Sequence, residues 1–409
     1  MNATGQRAGS ETGAPSAGQR LQSLDACRGL IMFTLLCGGI FQSLVKLPAW
    51  HWLAVQNEHV DWAGCVYWDL IQPSFTFMVG VAMPFAYARR EALGDSWGQR
   101  LRHALVRAFN LLLIGILLDH FGAEKIQIGF IRVLQQIAIS YSIAFFVVGR
   151  GLRAQAVMAG VILIGYQVLW MFNPWNGPGG PWAMGNENLG SAFDHWLLGR
   201  NYSGLYVGLN AIPATATILF GVMAGTLIQK AEEQGGKGAG VRGSGSAGVP
   251  LAALNTPGPL PPISPASALA AAKNRVCLTL LIAGLTALAL GLAVSPWFPL
   301  IKRIWTPSFA IYAGGWSALM LLAFYWSIEV MGWKRWAFPL VVVGSNSIAA
   351  YVLGNSFGGW FRSASTAWIG WLREPLGEAW WPVFQHALFA LAAWGVLWWL
   401  WRRKIFFKA

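Results

Sequence analysis

The sequence predicts an all-α, polytopic transmembrane bundle of about ten helices, and three observations carry that reading. Of 409 residues, 56% are hydrophobic and only 11% charged, where a soluble domain carries about a quarter charged residues. Apolar stretches close to twenty residues long recur from Leu30 to Trp401, the length a helix needs to cross the hydrocarbon layer. Lys and Arg residues sit in short clusters between these stretches and fall mainly on alternate sides.

Taken in order, the spans are 25–45, 67–88, 104–122, 129–149, 154–173, 208–229, 276–296, 308–331, 337–357 and 380–401. Residues 1–20 are rich in Gly, Ala, Ser and Thr and read as a disordered cytoplasmic tail. The first apolar run, Leu30 to Leu44, follows Arg20 and Arg28 and reads as an uncleaved signal anchor. Ten crossings then return the chain to the side on which it began. Segments on that side hold 21 of the 29 Lys and Arg residues and the opposite segments hold eight, so both termini are expected in the cytoplasm. The net charge of +13 is thereby explained by topology, and no nucleic-acid partner is expected.

Residues 21–230 form the first six spans with an outer loop between the first two, and residues 274–409 form the last four. Between them, 231–273 combine Gly, Pro, Ala and Ser with scattered charge, the composition of a disordered cytoplasmic linker. Four cysteines imply no disulfide framework, since Cys27, Cys37 and Cys277 lie in or beside apolar spans and Cys65 has no counterpart on the outer side.

Charged and polar side chains inside apolar spans are costly, so they mark candidate sites. Asp25 and Arg28 stand three apart in SLDACRGL on one face of the first helix, as an ion pair or a binding pair. Asp69 opens the second span in YWDLIQPSF, either capping that helix or serving a site, with Pro73 one turn later. His59 lies in the first outer loop, NEHVDWAGCVYWDL, where an imidazole could accept a proton and Asp61 could orient it. His51, His120, His195 and His386 are weaker candidates. Trp50, Trp52, Trp62, Trp68, Trp175, Trp182 and Trp196 fall in outer segments, as an interfacial belt or as platforms for sugar rings. The outer loop 173–208, rich in Asn, Gly and Trp, suits a lid or binding loop. No zinc spacing, phosphate-binding glycine loop or serine elbow in a suitable context is present, so no metal is expected. These features leave an enzyme, a transporter and a scaffold open.

The order of motifs is more specific than any one of them. SLDACRGLIMF, the His59 to Asp69 segment, DLIQPSFTFMVGVAMPF and IRVLQQIAISY are followed by FDHWLLGR, GLNAIPATATILFGVMAG, KRIWTPSFAIYAGGW and KRWAFPLVVVGSNSIAAY. From Ser23 to about Tyr351 this series resembles the heparan-alpha-glucosaminide N-acetyltransferase family of membrane acyltransferases, its bacterial members above all. The resemblance implies a bundle of ten or eleven helices in the bacterial inner membrane. It implies transfer of an acetyl or other acyl group from cytoplasmic acetyl-CoA, as cosubstrate rather than bound cofactor, to an amino sugar or glycan on the far side. Its pattern places a catalytic histidine three residues before a Trp and ten before the Asp of the second helix, spacings that His59, Trp62 and Asp69 satisfy.

On this reading His59, Asp69 and Asp61 form the catalytic set, with His59 as general base. Asp25, Arg28, Trp62, Gln135, Ser345 and Asn346 line the substrate cavity, and Arg100 and Arg102 in the cluster Arg89 to Arg107 attract coenzyme A phosphates. Homodimerisation is left open. Two positions depart from the pattern: Gly39 replaces an Asn, and Gln136 replaces an Arg that usually follows the Gln of its motif. An altered substrate or a non-catalytic relative fits these departures, and a transporter or flippase of a sugar or lipid-linked glycan is the alternative from another class.

Overall fold

The computed structural model describes residues 21–120, 128–185, 187–240 and 265–407. Its helices are α1 (Gln22–Ser43), α2 (His51–Gln56), α3 (Tyr67–Ala92), α4 (Trp97–Asp119), α5 (Val133–Val148), α6 (Gly151–Met171), α7 (Leu189–Leu198), α8 (Ala211–Gly240), α9 (Pro265–Val294), α10 (Pro307–Tyr325), α11 (Phe338–Ser345), α12 (Ser347–Ser356), α13 (Gly358–Ile369) and α14 (Arg373–Arg402). Among the described residues there is no strand, and eight helical segments are long and apolar enough to cross a membrane. A shorter apolar helix, α5, and the pair α11–α12, bent by 82° at Asn346, occupy the two other places where spans are expected. The chain is thus an all-α, multi-pass membrane bundle.

Local sequence explains several boundaries. Ser96 caps α4 reciprocally with Gln99, its hydroxyl accepting the Gln99 amide at 3.3 Å while Gln99 Oε1 accepts the Ser96 amide at 2.6 Å. Asn188 accepts the Ser191 amide at the start of α7, and Gly199 ends that helix in the left-handed region. Both helices flanking the linker run further than composition suggests, α8 to Gly240 and α9 from Pro265. KAEEQ and ASALAAAK are good helix formers, which a count of Gly, Pro and Ser overlooks. Residues 241–264 and the tail 1–20 lie outside the described residues.

Buried side chains from α1, α3, α5, α8, α10 and α11 form one core, with Ile31, Met78, Leu134, Ile218, Phe309 and Val342 at 3% exposure or less. By contrast α9 leaves Leu281, Leu285 and Leu292 exposed. A large apolar face of this kind is an aggregation hazard in water and the ordinary surface of a helix facing lipid. Backbones approach closely where helices cross: a Cβ on Gly221 of α8 would overlap the Phe77 carbonyl of α3, and one on Gly29 of α1 would overlap the Leu340 carbonyl of α11.

Candidate functional site

Three loops converge at the N-terminal end of α3. The first holds His59. The second, residues 199–208, connects α7 to α8, and the third, 295–306, leads into α10. The third is held tightly. Thr306 Oγ1 donates to the Pro299 carbonyl at 2.8 Å and accepts the Ile301 amide at 3.0 Å, while the Trp305 amide reaches the Lys302 carbonyl at 3.0 Å. Trp305 is buried with a positive φ of 52°, an uncommon backbone state for a bulky residue that surrounding packing must stabilise. This rigid turn carries Lys302 and Arg303 into the interior face of the loops.

His59 Nδ1 lies 2.7 Å from Asp69 Oδ1, and Lys302 Nζ lies 3.4 Å from the same oxygen and 3.3 Å from His59 Nδ1. Asp69 accepts a further bond from the Val66 amide at 3.3 Å, so it caps α3 and holds the imidazole at once. Side-chain exposure is 1% for Asp69, 5% for Lys302 and 37% for His59, so the imidazole alone of the three presents a face to a ligand. Nδ1 and Nζ share one acceptor, and their closeness follows from that: Nδ1 donates to the carboxylate, which leaves the lone pair of the neutral ring on Nε2. Among the described residues no protein group hydrogen-bonds Nε2. Trp68 and Tyr206 flank the ring with centroids 6.4 Å away.

Burial drives the Lys302 ammonium down to about 8, against the pull of the Asp69 carboxylate. An ammonium buried so deeply is tolerated only with such a partner. Arg303 ties the loops together, donating to the Gly204 carbonyl at 2.8 Å and the Val60 carbonyl at 3.3 Å. Trp62 donates its indole N–H to the Trp182 carbonyl at 2.9 Å, which docks the 173–208 loop beside the site. Leu189 and Val207 of that loop pack into a second, smaller core with Trp170 of α6 and with Ile301 and Ile304. Trp50, Trp52, Trp175 and Trp196 are exposed.

Asp61 does not take the part expected of it. Its side chain is exposed, and Asp69 is the carboxylate bonded to the ring. Other expected site residues sit elsewhere. Arg28 donates to the Met78 carbonyl at 3.2 Å, nine residues along α3 from Asp69, or about 14 Å by helix rise; Asp25 is buried one turn earlier on α1. Gln135 bonds Asp119, which also pairs with Arg132. Ser345 donates back to Val341, and Asn346 bonds the backbone of Ile405 and Phe407, pinning the C-terminal segment at the bend between α11 and α12. These two amide and hydroxyl groups therefore serve packing rather than a cavity. Arg100 pairs with Glu91 at 2.6 Å, and Arg102 is exposed.

Lys302 is the residue that sequence reading missed. KRIWTP marks it only as a loop lysine on the face poor in positive charge, and its approach to Asp69 is a tertiary fact. The Gly39 departure also has a local counterpart. A Cβ there would run into the His386 imidazole of α14, which faces Arg362 at 2.8 Å and Ser43 at 3.3 Å. Compared with known proteins, the chain matches no family model and no curated relative.

Proposed function

We propose that this chain is a membrane acyltransferase that moves an acetyl or related acyl group from cytoplasmic acyl-CoA to an amino sugar or glycan on the opposite face. The observation that carries the reading is the buried Asp69 carboxylate on His59 Nδ1, which leaves Nε2 as a positioned base. The motif order set out above, with its likeness to the heparan-alpha-glucosaminide N-acetyltransferase family, supplies the reaction class. In the transfer step the acceptor amine attacks the thioester carbonyl carbon, a C–N bond forms and the C–S bond breaks. The amine proton passes to His59 Nε2, and the departing thiolate takes up a proton as coenzyme A leaves. Asp69 keeps the ring in orientation and faces the imidazolium that forms, while Lys302 holds the carboxylate in place. A positioned base contributes about 10²–10⁴ in rate to such a step.

A transporter reading draws on the broken pair α11–α12, since interrupted helices line many transport pathways. Here the break is stapled, because both polar ends of the Asn346 amide are spent on the C-terminal backbone. The test is acetyl-CoA binding and acetyl transfer to glucosamine by purified protein, wild type against His59→Ala. Binding with transfer that depends on His59 supports the reading; normal turnover by the variant removes it.

A further inference from the structure

A cavity of about 520 Å³ lies between α1, α3 and α10, beneath the loop that carries His59. Its volume is that of a small-molecule site, for which about 300–1,000 Å³ is typical. Leu30 of α1, Ile71 of α3 and Leu319 of α10 form apolar walls. Polar groups gather at one end, where the Gln56 side chain accepts the Tyr67 amide at 3.2 Å and the Tyr67 hydroxyl meets Thr34 at 3.0 Å. That end adjoins the His59 cluster, because Val66, which lines the cavity, gives its amide to Asp69. Ser74 and Ser317, hydroxyls 3.1 Å apart, join α3 to α10 at the level of the cavity. Trp316 and Tyr67, both on its lining, are 43% and 39% exposed, so the cavity reaches the outer surface of the bundle on helices that cross the membrane.

We propose that this cavity holds the hydrocarbon chain of an amphiphilic acceptor, so that the amine is presented to His59 by a lipid-anchored or alkyl-bearing amino sugar that enters sideways from the bilayer. Coenzyme A is a poor match for the same space, since no Lys or Arg lines it and the amides of a pantetheine arm would meet few partners on walls of Leu and Ile. An alkyl chain needs only apolar contact and leaves its polar head at the end where Gln56, Tyr67 and the His59 cluster lie. The assignment of the acceptor rests on the transferase reading, whereas occupation of the cavity by a chain does not.

The experiment uses the full chain in lipid nanodiscs with acetyl-CoA and a series of acceptors: glucosamine, ethyl glucosaminide and octyl glucosaminide. A fourth probe is octyl glucosaminide carrying a photoreactive diazirine at the chain end. The expected result is a KM that falls by at least tenfold from the ethyl to the octyl acceptor, given a gain of about 0.8 kcal/mol for each buried methylene. Saturable photolabelling should map to α3 and α10, persist in His59→Ala and drop in Leu319→Trp. Because the chain-length series and the wild-type label need no variant, a misfolded Leu319→Trp protein would not rescue or sink the idea. Transfer to glucosamine with no dependence on chain length and no label in the cavity overturns the inference and leaves the transferase standing. Saturable cavity labelling without transfer to any acceptor supports the chain site and removes the transferase.

Discussion

Asp69 is bonded to the Nδ1 of His59 at 2.7 Å although the two stand ten positions apart, across loop and helix start. The distance is set by α3, because the same carboxylate takes the Val66 amide and so cannot rotate away without uncapping the helix. Asp69→Asn should therefore lower acetyl transfer by about 10²–10⁴, and it should also destabilise the fold by about 3–5 kcal/mol, because the buried Lys302 ammonium loses its carboxylate partner. An amide at this position can still accept from Val66 or from the ring, but it no longer fixes which ring nitrogen carries the proton. Transfer assays alongside thermal melting would separate the two effects, and a variant with wild-type turnover would leave His59 without its assigned partner.

Lys302 gives a prediction in pH. Its folded-state value of about 8 lies below the ordinary 10.5, so between those limits the unfolded chain binds a proton that the folded chain has released. Stability should accordingly rise with pH across that window, by an amount on the order of 3 kcal/mol in full. Lys302→Met should abolish the rise. Melting curves of both proteins between pH 7.5 and 10.5 decide it, since parallel curves would mean that the ammonium is not held in a dry site.

Asp194 points the opposite way. Burial raises its carboxyl to about 6, opposed by two bonds from the Gly208 amide, at 2.9 and 3.1 Å, and by Arg200. The folded chain then binds the extra proton between pH 4 and 6, so this group's contribution to stability falls as pH rises through that range. Asp194→Asn keeps an acceptor for Gly208 and should flatten the slope. Asp194→Leu should cost about 1–3 kcal/mol through the unpaired amide. Limited proteolysis of the 173–208 loop at pH 5 and pH 7 reports the difference locally.

Much of the fold was legible because membrane spans announce themselves by length and composition, and each of the ten expected spans overlaps an apolar helix or bent helix pair. The bend at Asn346 was not, since GSNSIAAY reads as continuous helix and only the bonds to Ile405 and Phe407 account for the break. At the site, residue type and place mark His59 and Asp69 as candidates, and the link between them comes from the spacing that the resemblance implies. Asp61 is expected beside Asp69 in the catalytic set because it stands two residues from His59, but the loop turns its side chain outward and proximity in sequence does not become contact in space. Lys302 lies 243 residues from His59, and nothing local in KRIWTP records that meeting.

Gly221 tests the packing that holds α3 in place. Gly221→Val should destabilise the bundle by about 3 kcal/mol or more, because the crossing leaves no room for a side chain against the Phe77 carbonyl. Gly165→Ala on α6 meets nothing within 4 Å and should be neutral or slightly stabilising. Equal melting temperatures for the two variants would contradict the close approach of α3 and α8.

The last prediction concerns Gly39, where the resemblance leads one to expect an Asn. The His386 imidazole fills the space that the Asn side chain would need, so Gly39→Asn alone should destabilise the protein and reduce transfer. His386 donates through Nδ1 to the Pro382 carbonyl at 2.8 Å, which leaves Nε2 to accept from Arg362, and so its ring is anchored rather than free to swing aside. Gly39→Asn combined with His386→Ala should recover much of the loss, with a coupling of about 1–3 kcal/mol of the sign that contact residues show. A double-mutant cycle in melting temperature and transfer rate measures that coupling. If the two substitutions add independently, the histidine is not what displaced the amide, and the Gly at this position reflects a change in what the neighbouring site binds.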